Sequence, residues 1–153
     1  MAKASIEISG WERALMAGEK VKERLRTATR ALDAARVSYV VVGDNAVAEW
    51  VGRIDEEAVR NTRDVDLLFR RVDLPSARAA LELEGFIHHY VFGVDTFIDG
   101  PHGKPSGGIH VLFAGEKVRR EDVDALPDIA ESKRAVDFQV VTLEALVRMK
   151  LTA

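Results

Sequence analysis

Residues 62–69 read TRDVDLLF, so that two aspartates one residue apart open a run of apolar side chains. The apolar character of residues 64–69 predicts a strand. Successive side chains of a strand point to opposite faces, and Asp64 and Asp66 should therefore lie on the same face. Two such carboxylates repel each other unless a cation lies between them. The pair predicts a bound Mg²⁺ or Mn²⁺ ion, because both ions prefer oxygen ligands.

The segment before this strand predicts a helix, a strand and a second helix. Apolar residues recur at steps of three and four within residues 11–36, which is typical of an amphipathic helix. A β-branched run at 38–42 ends at Gly43 and predicts a short buried strand. Residues 45–50 then predict a short helix. The charged residues 54–60 show no clear period and predict a loop or a helix end.

The segment after the aspartate strand continues with a helix and further strands. Asp73 and Pro75 are typical of a helix start, with Asp73 as the candidate N-cap, and Gly85 is typical of a helix end. Strands are predicted within residues 86–98 and at 109–113, separated by a loop rich in glycine and proline.

The chain is predicted to finish with a strand at 138–141 and a helix that begins at Leu143, with Thr142 as its cap. That helix meets the end of the sequence at Ala153, and we interpret it as cut short, as in a short family member or a truncated chain. No repeat or linker interrupts the sequence. Residues 1–153 are therefore predicted to form one domain.

The composition narrows the class of protein. A chain of 153 residues, 47% of them hydrophobic, is long enough for a globular domain that buries roughly 68–70% of its unfolded surface. No apolar run approaches the ~20 residues of a membrane span, and residues 1–10 lack the core of a signal peptide, so we expect a cytoplasmic protein without membrane contact. The absence of cysteine excludes disulfides, thiolate zinc sites and cysteine nucleophiles. A net charge of −3 argues against a general nucleic-acid binder.

The order of strand, glycine, short helix and TRDVDL resembles the pattern of the DNA-polymerase-β-like nucleotidyltransferase superfamily. It is most similar to the small bacterial members that are grouped with the AbiEii-type toxins of toxin–antitoxin and phage-defence systems. The matching residues are Gly43 in the first motif and Thr62, Arg63, Asp64, Asp66 and Leu67 in the second. The strand and helix predicted at residues 141–151 also match the end of the family pattern.

The resemblance implies an α/β (α+β) fold: a nucleotidyltransferase-like mixed sheet that is backed by helices on one face and carries the site on the other. It implies that Asp64 and Asp66 hold metal ions against the triphosphate of an NTP. A hydroxyl group of RNA, a protein or a small molecule would attack the α-phosphate as pyrophosphate leaves. Backbone N–H groups around Gly43 would contact the phosphates. The nucleotide-binding residues implied in this way are Gly43, Asp44, Thr62 and Arg63, of which Arg63 either binds phosphate or pairs with an acid.

Two positions depart from the family pattern. Asp44 stands where a second small residue is expected. The negative charge of Asp44 could repel the triphosphate, at a cost on the order of 1–4 kcal/mol. Alternatively, its carboxylate caps the following helix. A third carboxylate is expected on the strand at 109–113, where His110 occupies its place. Asp95 and Asp99, on the preceding β segment, are alternative sources of that carboxylate.

His110 itself has four possible roles at this position. Three of these roles are a ligand for Mn²⁺ or Zn²⁺, a general base, and a structural partner of one of the aspartates. Beside two anions it should also favour the imidazolium form, which would act as a counter-ion in place of the metal.

Three hypotheses about function follow. The first is an active metal-dependent nucleotidyltransferase with Asp64, Asp66 and His110 as its catalytic residues. The second is a degenerate member that binds a nucleotide or a partner without turnover, and the third is a toxin-like component whose partner is an antitoxin. Asp44 and His110 favour the second hypothesis. The retained carboxylate pair favours the first, because a site without chemistry has little need of two adjacent aspartates.

Overall fold

The computed structural model describes residues 9–60 and 62–152 of the chain. Residues 1–8, on which the expected lack of an export signal largely depends, lie outside the described residues, and so does Ala153 at the end of the last predicted helix. In the part of the chain that is described, every helix is too short or too polar to cross a membrane.

The described residues form four α-helices and seven strands. The helices are α1 (Gly10–Ala34), α2 (Gly43–Gly52), α3 (Leu74–Leu83) and α4 (Leu143–Thr152). The strands are β1 (Val40–Val42), β2 (Val65–Phe69), β3 (Phe86–Val91), β4 (Val94–Asp99), β5 (Ile109–Phe113), β6 (Ser132–Arg134) and β7 (Gln139–Val141). Single 3₁₀ turns lie at Glu56–Ala58, Arg71–Asp73 and Pro105–Gly107.

The strands form one mixed sheet in the order β3-β4-β5-β2-β1-β7-β6. The pairs β2–β5 and β1–β7 are parallel, and the other neighbours are antiparallel. All three residues of β1 are buried. This burial explains why β1 is a continuous run of valines, since a central strand covered on both faces has no polar side. The mixed sheet with its helices confirms the predicted fold class.

Helices α1 and α3 cover one face of the sheet. α1 starts with a capping box, in which the Ser9 side chain accepts from the Glu12 N–H and the Glu12 carboxylate accepts from the Ser9 N–H. Its apolar stripe belongs to the same buried cluster as residues of α3, β2 and β5. Leu32 is fully buried in that cluster, and a side chain of this kind contributes about 1.5–3 kcal/mol. The long helix predicted at 11–36 is thus confirmed.

The shorter helices α2 and α4 lie on the opposite face. The sheet therefore carries helices on both faces and not only on the one that was predicted. The second buried cluster joins them to the sheet, and its members include Ala46, Ala145, Leu146, Val40, Val42, Leu68 and Val140. The Trp50 indole N–H also donates to the Val141 carbonyl at 2.9 Å, which ties α2 to β7. Towards β2 and β5 this face carries polar side chains that are only half-buried.

Some local predictions need correction. Helix α3 begins at Leu74 and is followed by Gly85 with a φ of +89°, as predicted, but Asp73 makes no side-chain capping bond. The turn Arg71–Asp73 already leads into the helix in a helical conformation, so the first turn needs no separate cap from this side chain. Thr142 behaves as predicted, because its Oγ1 accepts from the Ala145 N–H at 3.3 Å. Strand β6 was not predicted, since its short polar sequence shows no apolar alternation.

Candidate functional site

One row of residues crosses the sheet on the face that carries α2. Val42 lies opposite Asp66, Asp66 lies opposite His110, and His110 lies opposite Thr96. Directly opposed residues of neighbouring strands point to the same face. The Asp66 and His110 side chains are 29% and 30% exposed, so a ligand can reach both. The predicted position of His110, beside an aspartate of the TRDVDL strand, is confirmed by this register.

Gly43 brings the start of α2 against Asp66. Its φ is +68°, a backbone angle that residues with a side chain rarely adopt. A Cβ atom at this position would lie only 2.2 Å from Asp66 Oδ2. The missing side chain therefore lets the carboxylate approach the first turn of α2, whose unpaired backbone N–H groups carry partial positive charge.

Asp64 immediately precedes β2, and its backbone is held from two sides. Its carbonyl oxygen accepts from Asn45 Nδ2 at 2.8 Å and from Thr62 Oγ1 at 2.9 Å. Its Oδ1 is buried and has no hydrogen-bond partner within residues 9–60 and 62–152. A buried acceptor without a partner costs about 1–3 kcal/mol, and more if it is charged. A cation at this oxygen would remove that cost.

Burial raises the pKa of Asp66 above its ordinary value, because the carboxylate loses hydration. His110 opposes this effect and lowers the pKa, whereas the charges of Asp64 and Asp44 raise it. The negative charges of Asp64 and Asp44 therefore make the ionisation of Asp66 less favourable. The site concentrates negative charge at the point where β2 meets α2.

His110 makes two polar contacts, one through each ring nitrogen. Nε2 lies 3.0 Å from the carbonyl oxygen of Pro105, in the turn before β5. Nδ1 lies 3.5 Å from Asp66 Oδ1. The pairing with an aspartate, one of the four roles considered for this residue, is therefore present, and the ring is held between the loop and the carboxylate.

Asp44 is exposed and pairs with α4. Lys150 Nζ donates to Asp44 Oδ1 at 3.2 Å. The interpretation of Asp44 as the helix cap is wrong, because Val42 holds the N-cap position and Asp44 lies inside the first turn. Lys150 places a compensating positive charge beside the carboxylate that was expected to repel a triphosphate.

Neither Asp95 nor Asp99 supplies a third carboxylate to this site, which corrects that alternative. Both alternate along β4 with Thr96, the residue opposite His110, and therefore point to the other face. Asp95 Oδ1 lies 2.7 Å from His88 Nε2, and Asp99 Oδ2 lies 3.8 Å from a terminal guanidinium nitrogen of Arg24.

Thr62 and Arg63, both implied at the nucleotide, lie on the turn before β2. Thr62 is half-buried and holds the backbone of Asp64 through its hydroxyl. Arg63 is exposed and forms no ion pair with the residues that the structure describes. Pairing with an acid, one of the two roles considered for Arg63, is thus not seen in that part of the chain.

A divalent cation fits this site in a limited way. No group of three or more histidine, aspartate or glutamate side chains in the described ranges is arranged to hold a metal ion. Proteins nevertheless bind Mg²⁺ through one or two carboxylates when waters and substrate phosphates complete its shell. The unpartnered buried oxygen of Asp64 fits such an ion. The residues suit an ion that arrives with a nucleotide better than an ion held by protein ligands alone.

Three contributors to the site carry no recognisable sequence signal. Asn45 and Lys150 belong to predicted helices, and the carbonyl of Pro105 belongs to the predicted loop rich in glycine and proline. Each acts through a contact that the three-dimensional arrangement alone creates.

The sheet, the glycine turn and the aspartate strand together define a nucleotidyltransferase-like fold. The structure is similar to that of the antibiotic-resistance factor ANT(2″)-Ia, which has the DNA-polymerase-β-like nucleotidyltransferase fold. Its crystal structure in complex with adenylyl-2″-tobramycin matches with a TM-score of 0.59 and 14% identity, over 86% of this chain and 74% of that chain. Its solution structure matches with a TM-score of 0.57 and 15% identity, over 84% and 68%. At this identity the likeness establishes the fold alone. No protein-family profile and no curated protein matches the sequence.

Proposed function

We propose that this chain is a metal-dependent nucleotidyltransferase, which moves a nucleotide from an NTP to a hydroxyl group of RNA, a protein or a small molecule. The observation that carries the proposal is the close approach of Gly43 and Asp66. It brings a pair of carboxylates and the N-terminal turn of a helix to one place. Carboxylates bind the cation and helix N-termini bind the phosphates of a nucleotide, so a triphosphate with its cation needs both features together.

Each residue of the site has a role in this proposal. Asp64 and Asp66 would hold Mg²⁺ or Mn²⁺, which neutralises developing phosphate charge when it is bound. Backbone N–H groups of the first turn of α2 would donate to the β- and γ-phosphates. Arg63 and Lys150 would add positive charge at the edges of the site. The acceptor hydroxyl attacks the α-phosphate and pyrophosphate leaves, and the chain contributes orientation of the two reactants.

The structural neighbour suggests which acceptor to test first. ANT(2″)-Ia was solved with adenylyl-2″-tobramycin, in which an adenylyl group is joined to an antibiotic. A small molecule with free hydroxyl groups is therefore the first acceptor class that we propose for this chain, followed by RNA and protein. Membership of the AbiEii-type group, an antitoxin partner and a cytoplasmic location are proposals that depend on the sequence alone.

A second candidate function is nucleotide binding without turnover. It is favoured by a specific observation, which is that no group of three metal-binding side chains is assembled in the described part of the chain. Asp64 and Asp66 would still bind a cation that arrives with the nucleotide, and such binding does not require that an acceptor be aligned.

Pyrophosphate release distinguishes the two candidates. The purified chain is incubated with each NTP, with Mg²⁺ or Mn²⁺, and with aminoglycosides, RNA or protein as acceptor. Nucleotidyl transfer predicts pyrophosphate release that disappears in Asp64→Asn and in Asp66→Asn. Asp99→Asn is the matched control, because that aspartate lies on the other face of the sheet. Saturable NTP binding without pyrophosphate release under any condition would favour the second candidate.

A further inference from the structure

The ring of His110 is oriented by the loop before its strand. Nε2 lies 3.0 Å from the carbonyl oxygen of Pro105. A carbonyl only accepts hydrogen bonds, so Nε2 carries the hydrogen of this contact. In the neutral ring, the other nitrogen then has a lone pair and no hydrogen. Metal-binding histidines in proteins usually show this arrangement, in which one ring nitrogen donates to a backbone carbonyl and the other binds the metal.

The second nitrogen faces a carboxylate at a distance that suits a shared ion. Nδ1 lies 3.5 Å from Asp66 Oδ1. This distance exceeds the roughly 2.7–3.2 Å of an ordinary N–H···O hydrogen bond. Two ligands bound at about 2.0–2.2 Å from one tetrahedral Zn²⁺ lie roughly 3.3–3.6 Å apart. The spacing of Nδ1 and Oδ1 is therefore that of two ligands of one tetrahedral Zn²⁺ ion.

The backbone makes this spacing a stable property of the fold. Asp66 and His110 are directly opposed on the parallel strands β2 and β5, between which five residue pairs are in register. Asp66 is also packed against Gly43, which limits its movement away from the histidine. Both side chains are thus positioned before any ion binds.

We propose that His110 determines the metal preference of this site: its Nδ1 and the carboxylate of Asp66 bind Mn²⁺, Co²⁺ or Zn²⁺ in preference to Mg²⁺. Imidazole nitrogen is a better ligand for these three ions than for Mg²⁺, and Mn²⁺ binds it the least tightly of the three. The inference deepens the proposed function, because it concerns the same aspartates. It can be tested with the metal alone, and its outcome is therefore separable from that of the transfer assay.

The direct test is pulsed electron paramagnetic resonance of the protein loaded with Mn²⁺ and no nucleotide. We expect coupling of the manganese to a ¹⁴N nucleus in the wild type and in His89→Asn, which changes an exposed histidine of β3. The coupling should disappear in His110→Asn. A wild-type sample with bound Mn²⁺ and no ¹⁴N coupling would overturn the proposal, as would coupling that persists in His110→Asn.

Calorimetric titration with Mn²⁺, Zn²⁺ and Mg²⁺ provides the second readout. The wild type should bind Mn²⁺ and Zn²⁺ at least about tenfold more tightly than Mg²⁺. His110→Asn should lose about tenfold or more in Mn²⁺ and Zn²⁺ affinity with little change for Mg²⁺. His110→Asp, which restores an oxygen ligand, should shift the preference towards Mg²⁺. Equal affinities for the three ions in all variants would contradict the proposal.

Long-range ¹H–¹⁵N correlation on the wild-type protein tests the orientation of the ring without any substitution. We expect the hydrogen of His110 on Nε2, with the Nδ1 signal shifting on addition of Zn²⁺, which is diamagnetic. A hydrogen on Nδ1 alone would overturn the proposal. Transfer activity that fails while ¹⁴N coupling is present would reject the proposed function and leave the metal assignment standing. Activity with Mg²⁺ and no ¹⁴N coupling would support the proposed function and reject the metal assignment.

Discussion

At the scale of the single residue, the site depends on the space left by one missing side chain. Gly43 has a positive φ and lies against Asp66 Oδ2, whereas Gly115 has a similar φ of +73° and open space around it. A side chain at either position would therefore meet a similar backbone strain, and the two positions differ in the atoms that its Cβ would contact.

Substitution of these glycines should separate strain from collision. Gly115→Ala is expected to cost about 1–2 kcal/mol of unfolding free energy through its left-handed backbone. Gly43→Ala should cost more and should also weaken Mn²⁺ binding, since its Cβ displaces the Asp66 carboxylate. Chemical denaturation and metal titration of both variants provide the measurements. Equal losses of stability, with unchanged Mn²⁺ binding, would mean that Asp66 moves aside freely.

The pair formed by Asp44 and Lys150 should influence nucleotide affinity. Asp44→Ser removes a negative charge near the phosphate site and releases Lys150, so we expect NTP binding to tighten by about tenfold, or roughly 1.4 kcal/mol. In a Lys150→Met background the same change should have a smaller effect, and Lys150→Met alone should weaken binding. Titration of the four proteins with one NTP measures both effects. An effect of Asp44→Ser that is identical in both backgrounds would show that the pair does not control binding.

The residues of the site differ in how visible they are in the sequence. Strand alternation predicted that Asp64 and Asp66 share a face, and the family resemblance predicted that His110 lies beside them in the place of a third carboxylate. Lys150 could not be assigned to Asp44, because the two are separated by 106 positions and meet only through the packing of α4. The contact of Pro105 with His110 uses a backbone carbonyl, which every residue has, so the residue type could not predict it.

At the scale of the secondary-structure element, Tyr39 connects the end of α1 to β7. Its hydroxyl donates to Asp33 Oδ2 at 3.2 Å and accepts from the Gln139 N–H at 3.3 Å. Burial raises the pKa of Tyr39 to about 12, although the Gln139 N–H acts in the opposite direction. The neutral phenol is therefore the form that the fold stabilises.

The pH dependence of stability should reflect this tyrosine. Because the folded pKa is raised, its contribution is fully present below about 10, the unfolded value, and is lost as pH rises through about 12. Tyr39→Phe should remove the tyrosinate absorbance step near pH 12. It should also lower the unfolding free energy at neutral pH by about 0.5–1.5 kcal/mol, through loss of the hydroxyl contacts. Persistence of the step in Tyr39→Phe would assign it to another group.

Elements with a strong pattern were predicted well, and those without one were not. The stripe of α1 and the valine run of β1 reflect burial, which dictates residue type. Strand β6 is a three-residue edge strand whose side chains are largely exposed, so that its pairing with β7 leaves no mark on the sequence. The prediction that the Asp73 side chain caps α3 was wrong for a related reason. The residue types did not reveal the 3₁₀ turn that leads into this helix.

At the scale of the whole molecule, binding of a nucleotide with its metal should stabilise the fold. A ligand present at 100 times its Kd adds about 2.7 kcal/mol. For a chain of this length the corresponding rise in Tm is roughly 5–11 °C. We expect this rise in the wild type with NTP and Mn²⁺ and a much smaller one in Asp64→Asn, measured by thermal unfolding. A similar rise in both proteins would place the nucleotide elsewhere.

The parallel pairing of β1 with β7 also determines the order in which the sheet can be completed. The hydrogen bond between Gln139 and Tyr39 joins positions 100 residues apart. Closing a loop of that length costs about 1.4 kcal/mol more than closing one of 20 residues. During synthesis β1 can pair with β2 early, while its other edge stays open until a strand about 100 residues later is available. An open edge of three valines is a template for pairing with a neighbouring chain. Pairing with Gln139–Val141 covers this edge, so the completed sheet protects β1 from such contacts.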